Sequence, residues 1–360
     1  MLGEQKSLEE RFLKTLRLVA PGTDLYEGLE SIIRARTGAL IVIGDSPEVM
    51  ALVDGGFRLN CEFTPSRLYE LSKMDGAVVL NEDAGQILVA NAQLLPDPQV
   101  ESKETGTRHR TAERVAKQTG KLVIAISQRR NVITLYEGNF KYIIREIGVT
   151  LAKANQALQT LEKYRSVLDH ALTNLSALEF EGLATLSDVA TAIQRTEMVS
   201  RVAREIEKYI CELGTEGRLI SMQLEELMVD VEDEGLMVIK DYLVVQESKS
   251  AESIRNQIAS WDSEDLLDLG TICRALGYSG TANILDQAVS PRGYRVLSKI
   301  PRLPMPVITN IVVTFKTLQG VLNASIDELD GVEGIGEVRA HAIKEGLRRL
   351  REHVLLERHM

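Results

Sequence analysis

Aromatic residues are scarce in this 360-residue chain: Phe, Tyr and Trp together make up 4%, with a single Trp. Cores with so few rings must be built from Leu, Ile, Val and Ala, which favours helices. Cysteine is equally sparse. Cys61, Cys211 and Cys273 lie far apart, are odd in number and have no zinc-ligand spacing. That excludes a disulfide scaffold and points to a reducing cytoplasm. No apolar run approaches the roughly 18 residues of a membrane span. The strongest is Ala39 to Ile43. Glu4, Lys6, Glu9, Glu10 and Arg11 have no apolar stretch behind them, so no secretory signal is expected. Walker A, kinase, hydrolase-elbow and zinc signatures are all missing, as is any low-complexity tract.

What is present is an ordinary folded composition, 44% apolar and 26% charged. A prior of about 150 residues per domain allows two or three domains. The net charge of −10 is unevenly spread. Residues 291–360 hold 11 Lys/Arg against 8 Asp/Glu, whereas the other 290 positions hold 31 against 44. The acidic excess is dense around Asp230, Glu232, Asp233 and Glu234. Such a chain does not coat nucleic acid through its overall field, but a small basic end can bind phosphates locally.

Periodicity divides the chain into three segments: 1–145, 146–290 and 291–360. In the first, helix and strand signals alternate. Ser7 with Glu10 reads as a capping box, and Thr64-Pro65 as an N-cap and first helical residue. Ala39 to Ile43 reads as a buried strand. Ala77–Leu80 with Ile87–Ala90, and Leu122–Ile126 with Val132–Tyr136, read as hairpins. The expectation is a mixed or largely antiparallel sheet with packed helices. In the second segment, Ile144, Ile147, Leu151, Ala154, Leu158, Leu161, Leu168, Leu172 and Leu175 recur at helical spacing, interrupted only by Arg165. That predicts one long helix, followed by helices through Leu186–Leu213 and Leu219–Leu243, together a rigid spine without catalytic constellations. Pro291, Pro301, Pro304 and Pro306 open the third segment, where short helices separated by glycines are expected.

The string from Ile326 to Ile343 has a definite shape. Ile326 and Leu329 form one apolar helix face, and Ala340 and Ile343 another. Gly331 and Gly334-Ile335-Gly336 make the turn between them. Glycines permit positive φ and close backbone approach, and the second helix offers free N–H groups at its start. This pattern resembles a helix-hairpin-helix motif, a sequence-independent binder of the nucleic-acid backbone. The stretch from Pro306 through Phe315 to Leu322 reads as a degenerate first copy. Candidate DNA contacts are Gly334, Ile335, Gly336, Arg339 and Lys344, with Arg348, Arg349 and Arg351 nearby. Without a third glycine or a preceding strand, the segment is not a dinucleotide fingerprint.

Two strings in the first segment carry the chemistry. Asp75-Gly76-Ala77 opens a strand. Gly106-Thr107-Arg108-His109-Arg110-Thr111 leads into a helix expected from about Thr111 to Gly120. The second string gathers two hydroxyls, two guanidiniums, an imidazole and a positive helix end, and Arg suits bidentate phosphate contact. Asp75 offers a hard oxygen for Mg²⁺ or Mn²⁺, and the small Gly76-Ala77 pair leaves room for a ligand against the backbone. Taken singly, Asp-Gly is an ordinary turn and Arg-His-Arg an ordinary solvated loop. Together they point to polyphosphate chemistry.

The two motifs, with the helical middle and the C-terminal hairpin, resemble the DisA family of bacterial diadenylate cyclases over essentially the whole chain. The resemblance implies a mixed-sheet α/β nucleotidyltransferase domain, a long helical spine and a C-terminal helix-hairpin-helix domain. It implies condensation of two ATP into cyclic di-AMP with release of two pyrophosphates. It further implies Mg²⁺ or Mn²⁺ held by Asp75, and catalysis by Asp75, Arg108, His109 and Arg110. ATP contacts would come from Gly76, Ala77, Leu94, Gly106, Thr107, Arg108, His109, Arg110, Thr111, Ser127 and Arg129. A cytoplasmic homo-octamer with paired cyclase domains, and suppression of the cyclase by branched DNA, are also implied. The alternative is a non-enzymatic DNA-binding scaffold with a nucleotide-sensing domain. A nuclease is disfavoured because Asp45, Asp54, Glu82 and Asp83 are scattered.

Overall fold

The structure, a computed structural model, describes residues 11–244, 250–279 and 283–357. The capping box expected at Ser7 and Glu10 lies outside them. Two compact units divide the chain: residues 1–155 with 207–221, and residues 156–206 with 222–360.

The first unit is built on an eight-stranded sheet: β1 (Ala39–Ile43), β2 (Val53–Asp54), β3 (Phe57–Glu62), β4 (Ala77–Leu80), β5 (Gln86–Leu94), β6 (Leu122–Ser127), β7 (Val132–Glu137) and β8 (Phe140–Ile143). The spatial order is β2-β5-β4-β1-β6-β7-β8, with β3 also pairing β5. Only β1 and β4 run parallel; every other pairing is antiparallel, as the hairpin-rich sequence predicts. The helices are α1 (residues 11–18), α2 (Asp24–Arg34), α3 (Pro47–Met50), α4 (Pro65–Leu71) and α5 (Thr107–Thr119).

β1 has no polar position because both of its faces are covered. Ile41 and Ile43 pack with Leu29 and Ile32 of α2 and Leu68 of α4. Val42 packs on the opposite side with Val49 of α3 and Ala112, Val115 and Ala116 of α5. The result is a three-layer sandwich, in which each fully buried Ile or Val contributes about 1.5–3 kcal/mol. Local signals behave as read. The Thr64 hydroxyl caps α4 by accepting from the Arg67 amide, and Pro65 occupies the first turn. The β4–β5 turn is closed by Asn81, whose Oδ1 accepts from the Gln86 amide.

The long helix is α6 (Ile147–Glu181), followed by α7 (Leu186–Leu213), α8 (Arg218–Met228) and α9 (Val231–Tyr242). Two expectations change here. Ile144 precedes α6, and its amide donates to the Ile133 carbonyl beside the sheet, so it belongs to the sheet core. The run from Leu219 to Leu243 is two helices, because Asp230 takes a left-handed conformation, φ 60°, which ends one helix and starts the next. Periodicity is blind to a single such residue. Arg165, the break in the apolar series, donates from Nη1 to the carbonyls of Leu227 (2.9 Å) and Val229 (2.8 Å). It satisfies carbonyls at the end of α8 that the helix itself leaves open.

Helices α10 (Ala251–Ala259), α11 (Ser263–Leu267) and α12 (Leu269–Ala275) follow, then α13 (Tyr294–Ser298), α14 (Met305–Phe315), α15 (Leu318–Asn323), α16 (Ile326–Asp330) and α17 (Glu337–Glu357). From α13 onward they share one core with Phe180 of α6. A fully buried ion pair, Glu179 to Arg295 Nη2 at 2.6 Å, joins the end of α6 to α13. The Tyr242 hydroxyl donates to the other Glu179 oxygen, 2.8 Å. Asp241 caps α13 by accepting from the amides of Gly293, Tyr294 and Arg295. Burial and the nearby Glu179 nevertheless push its carboxyl up to about 7. Removing one member of a buried pair strands the other charge at a cost of about 3–5 kcal/mol. Arg295→Leu is therefore expected to lower the denaturant midpoint sharply, and Glu179→Leu added to it to restore much of the loss.

Candidate nucleotide site and DNA hairpin

Strand register brings the two N-terminal motifs to one edge of the sheet. The β1–β4 register pairs Ile41 with Val78, and its continuation sets Gly38 level with Asp75. The β1–β6 register pairs Ala39 with Ile126, which sets Gly38 level with Ser127. Ala77 opposite Ala92 sets Asp75 level with Leu94. Leu94, Asp75, Gly38 and Ser127 thus mark the same edge on four successive strands, about 14 Å across at roughly 4.8 Å per strand.

Helix α5 runs antiparallel to β6 and delivers its N-terminus to this edge. It begins at Thr107, four residues earlier than the sequence reading, so Thr107 to Arg110 form its first turn rather than a loop. Gly106 is the N-cap (φ −86°, ψ 139°), and the Arg110 amide closes the first turn on the Gly106 carbonyl, 2.9 Å. Sequence reasoning placed the start late because the apolar face begins only at Ala112. A glycine N-cap has no side chain with which to satisfy the first amides, which leaves a positive, donor-rich helix end. Gly120 ends the helix as expected, with φ 66°. The chain before the cap is pinned along α5. The Ser102 hydroxyl and Lys103 amide donate to Glu113, Arg114 Nε to the Val100 carbonyl, and Lys117 Nζ to the Glu101 carbonyl.

Each expected residue has a definite place. Asp75 is exposed and has no hydrogen-bond or ion-pair partner among the described residues. The Gly76 amide donates to Asn91 Oδ1, 3.1 Å. A Cβ on Gly76 would lie 2.3 Å from the Asn91 carbonyl carbon, so this glycine makes room for β5 rather than for a ligand. Ala77 and Leu94 are core residues. Arg108 is the link between the motifs. A Cβ on Gly38 would fall 2.0 Å from Arg108 Nη1, so the guanidinium lies against the bare Gly38 backbone beside the Ile126 carbonyl. Arg110 is exposed and leans on the Glu104 and Thr105 carbonyls. Thr107 is exposed and Thr111 half-buried. Ser127 Oγ accepts from the Arg130 amide, 3.2 Å, and Arg129 is exposed on the same turn.

His109 is half-buried. Its Nδ1 lies 3.0 Å from the Tyr136 hydroxyl, which donates to Glu104 Oε1 at 2.9 Å, and Lys141 also binds that carboxylate. Burial holds His109 below the ordinary histidine range, and Lys141, Arg108 and Arg130 add to this against Glu104. Burial would raise Glu104, but hydrogen bonds from Lys141 and Tyr136 outweigh it and keep the carboxyl low. Gly38, Asn91, Glu104 and Tyr136 were not legible as site residues, because no local motif contains them.

In the hairpin, α16 carries a capping box between Ser325 and Glu328. Gly334 has φ 86°, and the Ala340 amide makes its helical bond to the Gly336 carbonyl. The second helix, expected to be short, is the 21-residue α17. Its apolar face continues beyond Ile343 through Leu347, Leu350 and Val354. Ile335 is buried, and Val338 is exposed at the helix start. Arg339 braces the turn by donating to the Gly334 carbonyl, 2.6 Å, and Lys344 donates to the Leu322 carbonyl at the end of α15, 2.8 Å. Arg348 and Arg349 both pair with Glu345.

These features define a class: a nucleotide-handling α/β domain carried in one chain with helices that end in a nucleic-acid-binding hairpin. The comparisons agree. The family model for the DisA bacterial checkpoint controller nucleotide-binding region matches residues 26–140, that for the DisA linker region residues 144–285, and the helix-hairpin-helix motif residues 317–346. The chain is 64% identical to the DNA integrity scanning protein DisA of Carboxydothermus hydrogenoformans, over 96% of this chain and 98% of that one. It is 60% identical to the protein of that name from Symbiobacterium thermophilum, covering 98% and 100%. With the Clostridium botulinum protein the identity is 55%, covering 97% and 98%. The chain belongs to the DisA family. It is a diadenylate cyclase with a helix-hairpin-helix DNA-binding motif, and its chemistry calls for a divalent metal. No helix among the described residues is long and apolar enough to cross a membrane.

The two hairpin glycines separate conformation from space. Gly334→Ala is expected to destabilise the chain by about 1–2 kcal/mol through its positive φ. Gly336 has open space around its Cβ position and no positive φ, so Gly336→Ala should leave the denaturation midpoint unchanged.

Proposed function

We propose that the sheet edge at Leu94, Asp75, Gly38 and Ser127, with the first turn of α5, binds one ATP as half of a two-copy active site. The carrying observation is that strand register and the Arg108–Gly38 contact bring both motifs to one edge. Each ribose 3′-hydroxyl attacks the α-phosphate of the opposing ATP, and the product is two-fold symmetric. The simplest catalyst therefore apposes two identical half-sites, which makes self-association a requirement of the chemistry.

Asp75 suits a metal bridged to substrate. It is one exposed carboxylate without internal partners, and Mg²⁺ commonly binds one or two carboxylates plus substrate phosphates. No cluster of three or more His, Cys, Asp or Glu side chains stands ready for an ion among the described residues, which favours a metal arriving with the nucleotide. Asp75 would hold Mg²⁺ or Mn²⁺, which when bound would supply charge neutralisation at the phosphates and lower the pKa of the attacking hydroxyl. Arg108 and Arg110 neutralise the phosphates and the pyrophosphate leaving group, which is the dominant demand of phosphoryl transfer. Thr107, Thr111, Ser127, Arg129 and the free amides after Gly106 add hydrogen bonds. The strand-end backbone at Gly76, Ala77 and Leu94 forms the floor beneath the nucleotide, while their side-chain positions belong to the protein interior.

Residues 1–145 serve as the cyclase domain, 146–290 as the spine and 291–360 as the DNA-binding domain. The hairpin at Gly334, Ile335 and Gly336 takes the phosphates of branched DNA, and Arg339 and Lys344 brace it. Bound DNA lowers the cyclase rate, and the working assembly is an octamer. The three free cysteines suit a cytoplasmic setting.

Chromatography of a reaction with ATP and Mg²⁺ or Mn²⁺ tests this reading. The unmodified chain should yield a cyclic dinucleotide, and Asp75→Asn none, at an unchanged melting temperature. Product from Asp75→Asn at the normal rate removes the metal role. Gly38→Ala should displace the Arg108 guanidinium, whose Nη1 would lie 2.0 Å from the new Cβ, while the Ile126 carbonyl, 3.1 Å away, has to give only slightly. Loss of a charged hydrogen bond of about 1.5–3 kcal/mol predicts ATP binding weaker by at least tenfold in calorimetry.

A further inference from the structure

We propose that Tyr136 and Glu104 are positioning residues that hold His109 as its neutral Nδ1–H tautomer, leaving the Nε2 lone pair to take the ribose 3′-hydroxyl proton. The inference rests on the cyclase reading above and deepens it.

The direction of the chain follows from counting protons. Glu104, as a carboxylate, only accepts. The Tyr136 hydroxyl has one proton and gives it to Glu104 Oε1 at 2.9 Å. At the 3.0 Å contact with His109 Nδ1 the phenol oxygen must therefore accept, so Nδ1 carries the hydrogen. In a neutral ring that leaves Nε2 unprotonated, with no hydrogen-bond partner among the described residues. The tyrosine is nearly fully buried between α5 and the sheet, so the contact is held by core packing rather than by a mobile surface chain.

The neutral state is supported by the surroundings. The groups acting on the imidazole are Glu104 before α5, Arg108 on α5, Arg130 on the β6–β7 turn, Tyr136 on β7 and Lys141 on β8. Three of these are cations and one is an anion, and the ring is half-buried, so the imidazolium is disfavoured at rest. Arg108 and Arg110 then carry the positive charge of the motif, and His109 handles a proton.

The step balances. The 3′-oxygen forms its bond to the α-phosphorus of the opposing ATP, and the bond from that phosphorus to the pyrophosphate oxygen breaks. The electron pair of the broken bond leaves with pyrophosphate, and the 3′-hydroxyl proton moves to His109 Nε2. The resulting imidazolium keeps its Nδ1–H on Tyr136 and feels the Glu104 carboxylate behind it, so the same relay that sets the tautomer stabilises the charged ring. From Nε2 the proton returns to water.

The test is the pH dependence of cyclisation by the full-length chain. Wild-type kcat should fall on the acid side as His109 protonates. Tyr136→Phe keeps the ring in the core but removes the acceptor. It is expected to lower kcat on the order of tenfold, the scale of losing a histidine's outer partner, with KM for ATP near the wild-type value. Glu104→Gln removes the anion that favours the imidazolium, so the acid limb should move to lower pH while kcat falls. Unchanged kcat in a folded Tyr136→Phe protein, or an acid limb that Glu104→Gln leaves in place, overturns the inference. A loss confined to KM does the same. If the wild-type chain forms no cyclic dinucleotide, the cyclase reading itself fails; if it does and the variants match it, only the relay fails.

Discussion

β1 lies between a parallel neighbour, β4, and an antiparallel one, β6, and the register of those two ladders decides which residues meet at one edge of the sheet. Because β1 and β4 run the same way, their N-terminal ends, Gly38 and Asp75, fall together. Because β6 runs the opposite way, its C-terminal end, Ser127, joins them. A slip of one residue would turn every side chain of β1 to the opposite face, exchanging Ile41 and Val42 between two filled cores. The double-sided burial of the central strands therefore locks the edge on which the two motifs meet.

Glycines at that edge make room for protein before they make room for ligand. Gly76 admits the backbone of β5 at Asn91, and Gly38 admits the guanidinium of Arg108. Gly106 works differently. As an N-cap without a side chain, it leaves the first amides of α5 open. Three glycines in three roles thus convert a pair of short strings into a donor-rich edge with one free carboxylate.

Charge in the C-terminal unit is handled economically. Of the cations expected to meet DNA, Lys344 and Arg339 already bind carbonyls, and Arg348 and Arg349 share Glu345. Besides the exposed Arg351, what the hairpin presents is geometry: a turn with Gly334 at positive φ and the start of α17. The buried Glu179–Arg295 pair and the Asp241 cap join α6, α9 and α13 around the core that supports this hairpin.

Local chemistry was legible from the sequence alone. The strands at Ala39–Ile43 and Ala77–Leu80, the two hairpins, the Thr64 cap, the end of α5 at Gly120 and the glycine hairpin each depend on residues within a few positions of one another. Pairing across distance was not. The start of α5 escaped the reading because its first turn carries no apolar face, and the left-handed Asp230 broke a helix that periodicity ran straight through. Residues 207–221 join the N-terminal unit from far along the chain, with Glu212 accepting from the Tyr142 hydroxyl and the Arg145 amide. The seats of Arg108 on Gly38 and of His109 on Tyr136 are likewise tertiary facts, since each joins segments that touch only after the sheet has closed. Sequence determined which chemical groups exist and the local backbone that carries them. Only the folded register decided which of those groups stand side by side, because hydrogen-bonded ladders and two-sided packing act between residues the chain keeps far apart.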